Sequence, residues 1–318
     1  MMINSALVTG GAGFIGSHIV EALVHKGCQV TVLDNLSSGH LSNLDGVIDQ
    51  IRFIEGDICN QHTLNDAISG CDVVFHEAAV VSVTETVERP VASALVNELG
   101  TINVLEAAKQ NNVRRVVLAS SSAIYGDDPQ LPKKENMFPK PLSPYAVQKL
   151  AGEYHAQVYA NLYGLQTICL RYFNVFGPRQ DPNSPYSGVI SIFMTKAAKH
   201  EVPNIYGDGT QSRDFIYVTD VVAANLLAAT CAHIKNAIYN VGTGRCIQIL
   251  QLWEEICQSS QLKISPQFAP ARAGDVPKSM ADIAKVQKEL DFIPNTAFSS
   301  GLQQTLAYYA ALSKKDLS

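Results

Sequence analysis

The chain has 318 residues, 47% of them hydrophobic, and a formal net charge of −5. That is enough apolar material for a large core and for about two domains, and no Lys/Arg block is long enough to track a phosphate backbone, so nucleic acid is not an expected partner. No apolar run approaches the ~20 residues that span a bilayer, and the first, residues 3–8, is too short for the apolar region of a secretion signal, so no membrane partner is expected either.

Residues 6–9 predict a strand that breaks at Thr9-Gly10-Gly11-Ala12-Gly13-Phe14-Ile15-Gly16, where a helix over 14–26 begins. A second strand, 29–33, runs up to Asp34. A third, 51–55, precedes Asp57, and a helix over 62–69 follows. A fourth, 73–76, leads to Ala78-Ala79, and helical periodicity covers 91–111. The fifth strand, 116–120, enters the serine run 120–122, and a helix over 143–163 carries Tyr145 and Lys149 near its start. A sixth strand, 167–170, closes the regular half. Nearly continuous apolar strands alternating with helices predict a doubly wound parallel α/β sheet of Rossmann type. From about residue 174 the pattern breaks at Gly177-Pro178, 182–185, 207–209 and Gly274, which suits a smaller α/β substrate-binding region. The expected division is 1–173 for the dinucleotide domain and 174–318 for the substrate region. Residues 214–243 are expected to return to the main sheet, with 237–241 as an added strand. The seven cysteines (Cys28, Cys59, Cys71, Cys169, Cys231, Cys246 and Cys257) form no C-x-x-C pair, which predicts free thiols and a cytoplasmic protein. The eight histidines show no ligand spacing, so no metal is expected.

The glycine turn sits where a dinucleotide needs it, directly after a strand and opening a helix. Gly10, Gly13 and Gly16 allow a tight turn and close approach of a pyrophosphate, and the helix N-terminus offers unpaired N–H groups to its charge. Asp34, about 20 residues on, suits the ribose hydroxyls and would repel a 2′-phosphate, so NAD is favoured over NADP. Tyr145 and Lys149, at i and i+4, share one helical face. An ammonium beside a phenol favours the phenolate, which predicts ionisation below the ordinary ~10 and a base suited to alcohol–ketone chemistry.

The G-x-x-G-x-x-G turn, the serines ahead of Tyr145-x-x-x-Lys149, and Tyr172-Phe173-Asn174 together resemble the extended short-chain dehydrogenase/reductases. Within them the chain is most similar to the UDP-hexose 4-epimerases, over essentially all its length, most clearly in 120–127, 142–149, 171–178, 206–217 and 272–282. The resemblance implies a tightly bound, recycled NAD. Its contacts would be Gly10, Gly13, Phe14, Ile15, Gly16, Asp34, Asn35, Ser37, Gly39, Asp57, Ile58, Ala78, Ala79, Asn97, Tyr145, Lys149 and Tyr172. It further implies that Tyr145 takes the proton of the sugar 4-hydroxyl and that Ser122 bonds the same oxygen, with Ser121 in its place if the register slips by one. Lys149 would bond the nicotinamide ribose and lower the tyrosine pKa. Hydride leaves C4, the 4-keto sugar turns over, and hydride returns to its other face. On the UDP-sugar side the resemblance implies Asn174 at the sugar nucleotide, Arg213 and Arg272 clamping the diphosphate, Asp275 on the uridine ribose and Tyr206 near the uracil, with Val189 and Asn204 in the same site. Guanidinium suits that clamp because its planar fork matches phosphate oxygens two at a time. The helices 91–111 and 143–163 would pair across a two-fold axis, giving a homodimer.

Sister reactions on this scaffold differ just ahead of Tyr125-Gly126. Dehydratases carry Asp-Glu where this chain has Ser122-Ala123, and decarboxylases keep a glutamate at the Ala123 position. A methyl group can do neither job, so the resemblance implies epimerisation. A small residue at the Ser279 position goes with acceptance of N-acetylated sugars, and Ser82, Gln180 and Gly188 would shape the acetamide pocket. The expected substrates are UDP-GlcNAc/UDP-GalNAc together with UDP-Glc/UDP-Gal. The alternatives are a UDP-uronate 4-epimerase, a net reductase, which Asp34 disfavours, or a silent NAD sensor, which would not need both Tyr145 and Lys149.

Overall fold

The computed structural model describes residues 2–181, 188–271 and 276–315. Its first half gives six parallel strands in chain order: β1 (Ser5–Thr9), β2 (Gln29–Asp34), β3 (Ile51–Glu55), β4 (Val73–His76), β5 (Arg115–Ser121) and β6 (Gln166–Tyr172). Between them lie α1 (Phe14–His25), α2 (Gln61–Ile68), α3 (Val83–Glu88), α4 (Pro90–Ala94), α5 (Thr101–Gln110) and α6 (Pro144–Tyr163). The second half adds β7 (Asn174–Phe176), α7 (Val189–Ala198), β8 (Asn204–Tyr206), β9 (Ser212–Arg213), β10 (Phe215–Tyr217), α8 (Val218–Thr230) and β11 (Asn236–Val241). It ends with β12 (Ile247–Gln248), α9 (Ile249–Ser259), β13 (Gln267–Ala269), β14 (Lys278–Ser279), α10 (Ala284–Leu290) and α11 (Phe298–Lys315).

The main sheet runs β11-β6-β5-β4-β1-β2-β3, all parallel. The chain runs outward from β1 to β2 and β3, then crosses back to β4 on the other side of β1, and ligands of open α/β sheets collect at the carboxyl ends beside such a reversal. The period-two pattern of each strand divides the core. Ala6 and Val8, Val73 and Phe75, and Val117 and Ala119 face one layer with Ile19 and Leu23 of α1 and Val221 and Ala228 of α8. Leu7, Val74 and Val116 face the other, with Leu64 of α2 and Val104 and Leu105 of α5. These side chains are fully buried or nearly so, each contributing about 1.5–3 kcal/mol of transfer free energy for the larger ones.

α6 is bounded by local chemistry. The Ser143 hydroxyl accepts from Ala146 N, Pro144 occupies the first turn, and Gly164 takes the left-handed conformation (φ +72°) that ends the helix. A buried ion pair fixes it to the sheet: Arg171 donates to both Glu153 oxygens at 2.8 and 2.7 Å, and Ser120 donates to Glu153 at 2.5 Å. Arg171 also donates to the Tyr125 hydroxyl (2.8 Å), which donates to Asn240 of β11 (2.6 Å). Removing one partner of such a pair costs roughly 3–5 kcal/mol, because the other charge is left buried.

The expected single helix over 91–111 is divided. α4 gives way to a π-helical turn, Leu95–Gly100, before α5 begins. A π turn inserts an extra residue and re-aims its neighbours. Here Asn97 turns inward to bond Val80 N and Val80 O at 2.8 and 2.9 Å, and Gly100 lies so near Ile58 that a Cβ would meet it at 2.6 Å.

A second core gathers Phe176, Phe193, Met194, Trp253, Leu302 and Tyr309 from β7, α7, α9 and α11. Around it lie three small sheets, β10-β7, β12-β9-β14 and β13-β8. Among the described residues no helix is long and apolar enough to cross a membrane, and no cluster of three or more His, Cys, Asp or Glu could hold a metal.

Candidate active site

The turn after β1 is built for close approach. Gly10 has φ +69°, and a Cβ there would meet Ala78 N at 2.6 Å, so the loop after β4 lies directly against it. α1 begins at Phe14 with its first N–H groups at the carboxyl edge of the sheet, ready for an anion. Asp34, at the end of β2, is buried; its carboxylate accepts from Ala12 N (2.9 Å) and Leu36 N (2.8 Å). Those bonds fix its position and leave acceptor capacity for ligand hydroxyls. Gly39 packs on it, its ideal Cβ 3.0 Å from both carboxylate oxygens. Asn35 donates to Asp57 (2.8 Å), and Ser37 N donates back to Asn35 (3.1 Å). Burial pushes the Asp57 carboxyl up, but bonds from Cys59 and Asn35 prevail and hold it below its ordinary value. Ile58 is buried against Gly100.

Two residues expected at the cofactor have their side chains engaged elsewhere. The Asn97 amide is shared between Val80 O and Gln148, so it holds the loop that follows Ala78-Ala79 rather than offering a donor to a ligand. Tyr172 donates to Glu77 (2.8 Å) and accepts from Asn225 Nδ2 (2.8 Å), placing its hydroxyl in the floor of the site.

Tyr145 and Lys149 share the face of α6 that looks onto the end of β5, with Lys149 Nζ 5.9 Å from the centre of the tyrosine ring and donating to Ala119 O at 2.9 Å. Of the serines at the end of β5, Ser121 is the one whose hydroxyl lies near enough to the Tyr145 phenol to lower its pKa. Ser121, the register alternative, therefore faces the tyrosine in place of Ser122. Ser121 is still extended (φ −145°, ψ 146°), whereas Ser122 already belongs to the 3-10 turn Ser122–Tyr125, so the two side chains diverge. Ser121 Oγ accepts from Ala123 N (3.1 Å), which leaves its own proton for the phenol.

A second correction concerns charge. Burial raises the Tyr145 pKa; the Ser121 bond works against this, and the Glu77 charge adds to it. The expected lowering by Lys149 is not seen: desolvation disfavours the phenolate, and the ammonium is turned to Ala119 O. Burial takes Lys149 itself down to about 8, with Glu77 supporting its charge. Glu77, raised to about 7 by burial and drawn back by Tyr172 and Lys149, was missed in the sequence. Its signal there was a carboxylate directly after Val73-Val74-Phe75-His76, the whole of which is buried as β4.

On the substrate side, Asn174 opens β7, and its N–H donates to Asp214 O (3.0 Å). Arg213 lies on the central strand of the three-stranded sheet, level with Ser279 on β14. Asp214 pins this corner, accepting from Thr243 N, Thr243 Oγ1, Gly244 N and Ala281 N at 2.6–3.0 Å. Gln180 and Gly188 adjoin, an ideal Cβ on the glycine lying 3.1 Å from Gln180 Nε2, and Val189 starts α7 beside them. Asn204 and Tyr206 lie on β8. The Ser82 hydroxyl accepts from Glu85 N (2.9 Å) as the cap of α3, so its first task is structural. Arg272 and Asp275 lie outside the described residues.

The family described as NAD dependent epimerase/dehydratase matches residues 6–242. The chain belongs to that family. Family members similar to it over nearly their whole length include a putative UDP-glucose 4-epimerase of Methanocaldococcus jannaschii, 40% identical over 303 residues (94% of this chain, 96% of that protein). The UDP-N-acetylglucosamine 4-epimerase of Methanobrevibacter ruminantium M1, solved with UDP-N-acetylmuramic acid, is 39% identical with a TM-score of 0.94, covering 98% of this chain and 100% of that one. The UDP-glucose 4-epimerase of Thermus thermophilus, solved with NAD, is 38% identical with a TM-score of 0.87, covering 96% and 98%. As a family member the chain is an epimerase with NAD as its cofactor. The residues present fit that group: the glycine turn and the start of α1 for the diphosphate, and buried Asp34 for the adenosine ribose. NAD, when bound, supplies reversible hydride transfer.

Proposed function

We propose that this nucleotide-sugar 4-epimerase interconverts UDP-GlcNAc and UDP-GalNAc, and also UDP-Glc and UDP-Gal. The observation that carries the substrate reading is the small Ser279 side by side with Arg213 in the strand register. With Arg213 on the diphosphate, Ser279 faces the sugar's C2 substituent and leaves room for an acetamide. The adjoining Gln180 and Gly188 supply the rest of that pocket. Ala123, next to the Ser121–Tyr145 contact, offers no acid or base for C5 or C6, which favours epimerisation over dehydration.

In this reading Tyr145 and Ser121 hold the sugar's 4-oxygen, remove its proton as C4 is oxidised, and return it when C4 is reduced from the other face. Lys149 keeps a positive charge beside the phenol and bonds the nicotinamide ribose. Arg213, with Arg272, clamps the diphosphate, Asp275 takes the uridine ribose, and Asn174, Asn204 and Tyr206 complete the nucleotide side. The test is incubation of the purified protein with UDP-GlcNAc, UDP-Glc and UDP-glucuronate separately, without added cofactor, followed by separation of C4 epimers. The expected result is turnover of the first two, with NAD released on denaturation. Ser279→Tyr should abolish turnover of the acetamido sugar while sparing UDP-Glc; equal losses on both would remove the gatekeeper reading.

We also propose a homodimer in the cytoplasm. Val91, Leu95 and Leu99 are exposed at four-residue spacing over α4 and the π turn that continues it, and Val147, Tyr154, Val158 and Leu162 are exposed along α6. Val91 is 75% exposed and Leu162 70%, and water is a poor environment for two such stripes. A two-fold axis would cover both with the same surface of a second copy. The cytoplasmic reading rests on the seven cysteines, none of which is in a disulfide.

A further inference from the structure

The loop that leaves β7 toward Gln180 is fastened to the dinucleotide helix. His18 lies one turn after Phe14 on α1, edge-on to its ring at 6.1 Å, and its Nε2 meets Pro178 O at 3.1 Å. A carbonyl only accepts, so this nitrogen carries the proton. Glu21, further along α1, accepts from Arg179 Nη2 at 2.5 Å, and the two side chains are 25% and 18% exposed. From the other side, Tyr309 of α11 donates to Gln180 O. Three consecutive residues, Pro178, Arg179 and Gln180, are thus tied to helices far away in the sequence. Arg179 itself has φ +69°, in the left-handed region that residues with a Cβ seldom adopt. Such a conformation persists where the surrounding contacts hold it.

We propose that Arg179, clasped by Glu21, is a positioning residue for recognition of the sugar's C2 substituent: the ion pair holds the backbone at 179 in its left-handed turn and so aims Gln180 into the acetamide pocket. This rests on the reading of Gln180 as part of that pocket. Gln180 directly follows the held residue, and its Nε2 lies 3.4 Å from Val175 O and 3.1 Å from an ideal Cβ on Gly188. Rotation of the 179 backbone toward an ordinary φ carries Gln180 away from both. Asn174 is fixed separately, because β7 pairs with β10 from Asn174 to Phe176, so the nucleotide side keeps its place. The pair is mostly buried and is therefore screened less than an open surface pair. It also starts from the helix whose first turn fits the dinucleotide, which gives the sugar pocket a fixed relation to the cofactor.

The test is Arg179→Met, which keeps an unbranched stem and removes the charge, beside Glu21→Gln and the double variant. KM and kcat are measured for UDP-GlcNAc and for UDP-Glc, with bound NAD as a check on folding. Each single variant should raise KM for UDP-GlcNAc about tenfold, while kcat on both sugars and KM for UDP-Glc stay within about threefold of the parent. The double variant should be no worse than either single one, because the two side chains act as one pair. Equal rises in KM for both sugars, or losses that multiply in the double variant, would overturn the proposal. Gln180→Ala separates the clasp from the reading beneath it. A raised KM for UDP-GlcNAc in that variant, with parent values in Arg179→Met, overturns the clasp alone. Parent values in Gln180→Ala, or no turnover of UDP-GlcNAc by the parent, overturn the pocket reading and the clasp with it.

Discussion

At the end of β5 two adjacent serines differ in what they can reach. Successive side chains of an extended segment point to opposite faces, and the chain leaves that geometry at the 3-10 turn Ser122–Tyr125. Ser121 therefore meets Tyr145, and Ser122 starts the turn. A hydroxyl donating to a phenolate stabilises the charge that the base must carry, and loss of such a donor at a reacting oxygen costs about a hundredfold in kcat. Ser121→Ala should show that loss in a steady-state assay, with KM little changed, while Ser122→Ala should stay within about threefold of the parent. The reverse ranking would return the role to Ser122. The phenol itself is harder to ionise in this site than the bare pairing with Lys149 suggests. Burial acts on both partners, raising the tyrosine and lowering the lysine, and Glu77 adds to the first effect while opposing the second.

Among the elements, α6 was legible from end to end, because its limits are written locally in Ser143, Pro144 and Gly164. The six strands of the first half were legible for the same reason: runs of buried apolar residues between turn residues have few other uses. The π turn at Leu95–Gly100 was not, since the periodicity of 91–111 carries no mark of it. Its causes are Asn97 reaching Val80 and Gly100 packing on Ile58, contacts made only after folding. β9, β12 and β14, of two residues each, depend in the same way on partners distant in sequence. The exposed stripes on the turn-containing segment and on α6 make an element-scale prediction. The parent protein should sediment as a dimer, and Val91→Glu with Leu162→Glu should sediment as a monomer with an unchanged circular dichroism spectrum, because buried unpaired charge is costly at such a face. A parent that sediments as a monomer at micromolar concentration would remove the dimer reading.

At the scale of the molecule, two cores divide the work. The sheet with its two helical layers carries the glycine turn, Asp34, Tyr145 and Lys149 at its carboxyl edge, and the second core carries Arg213, Ser279 and Gln180 on short strands and loops. β11 ties the halves together by pairing with β6 from Thr167 to Tyr172 after the chain has already entered the second half. Asp214, between Arg213 and β10, binds the loop that follows β11, so the substrate side is braced against the sheet. The measurement that bears most directly on this account is the rate of C4 inversion of UDP-Glc by Tyr145→Phe, with bound NAD assayed alongside. The account predicts retained NAD and a rate lower by about a thousandfold. Inversion at the parent rate would contradict it.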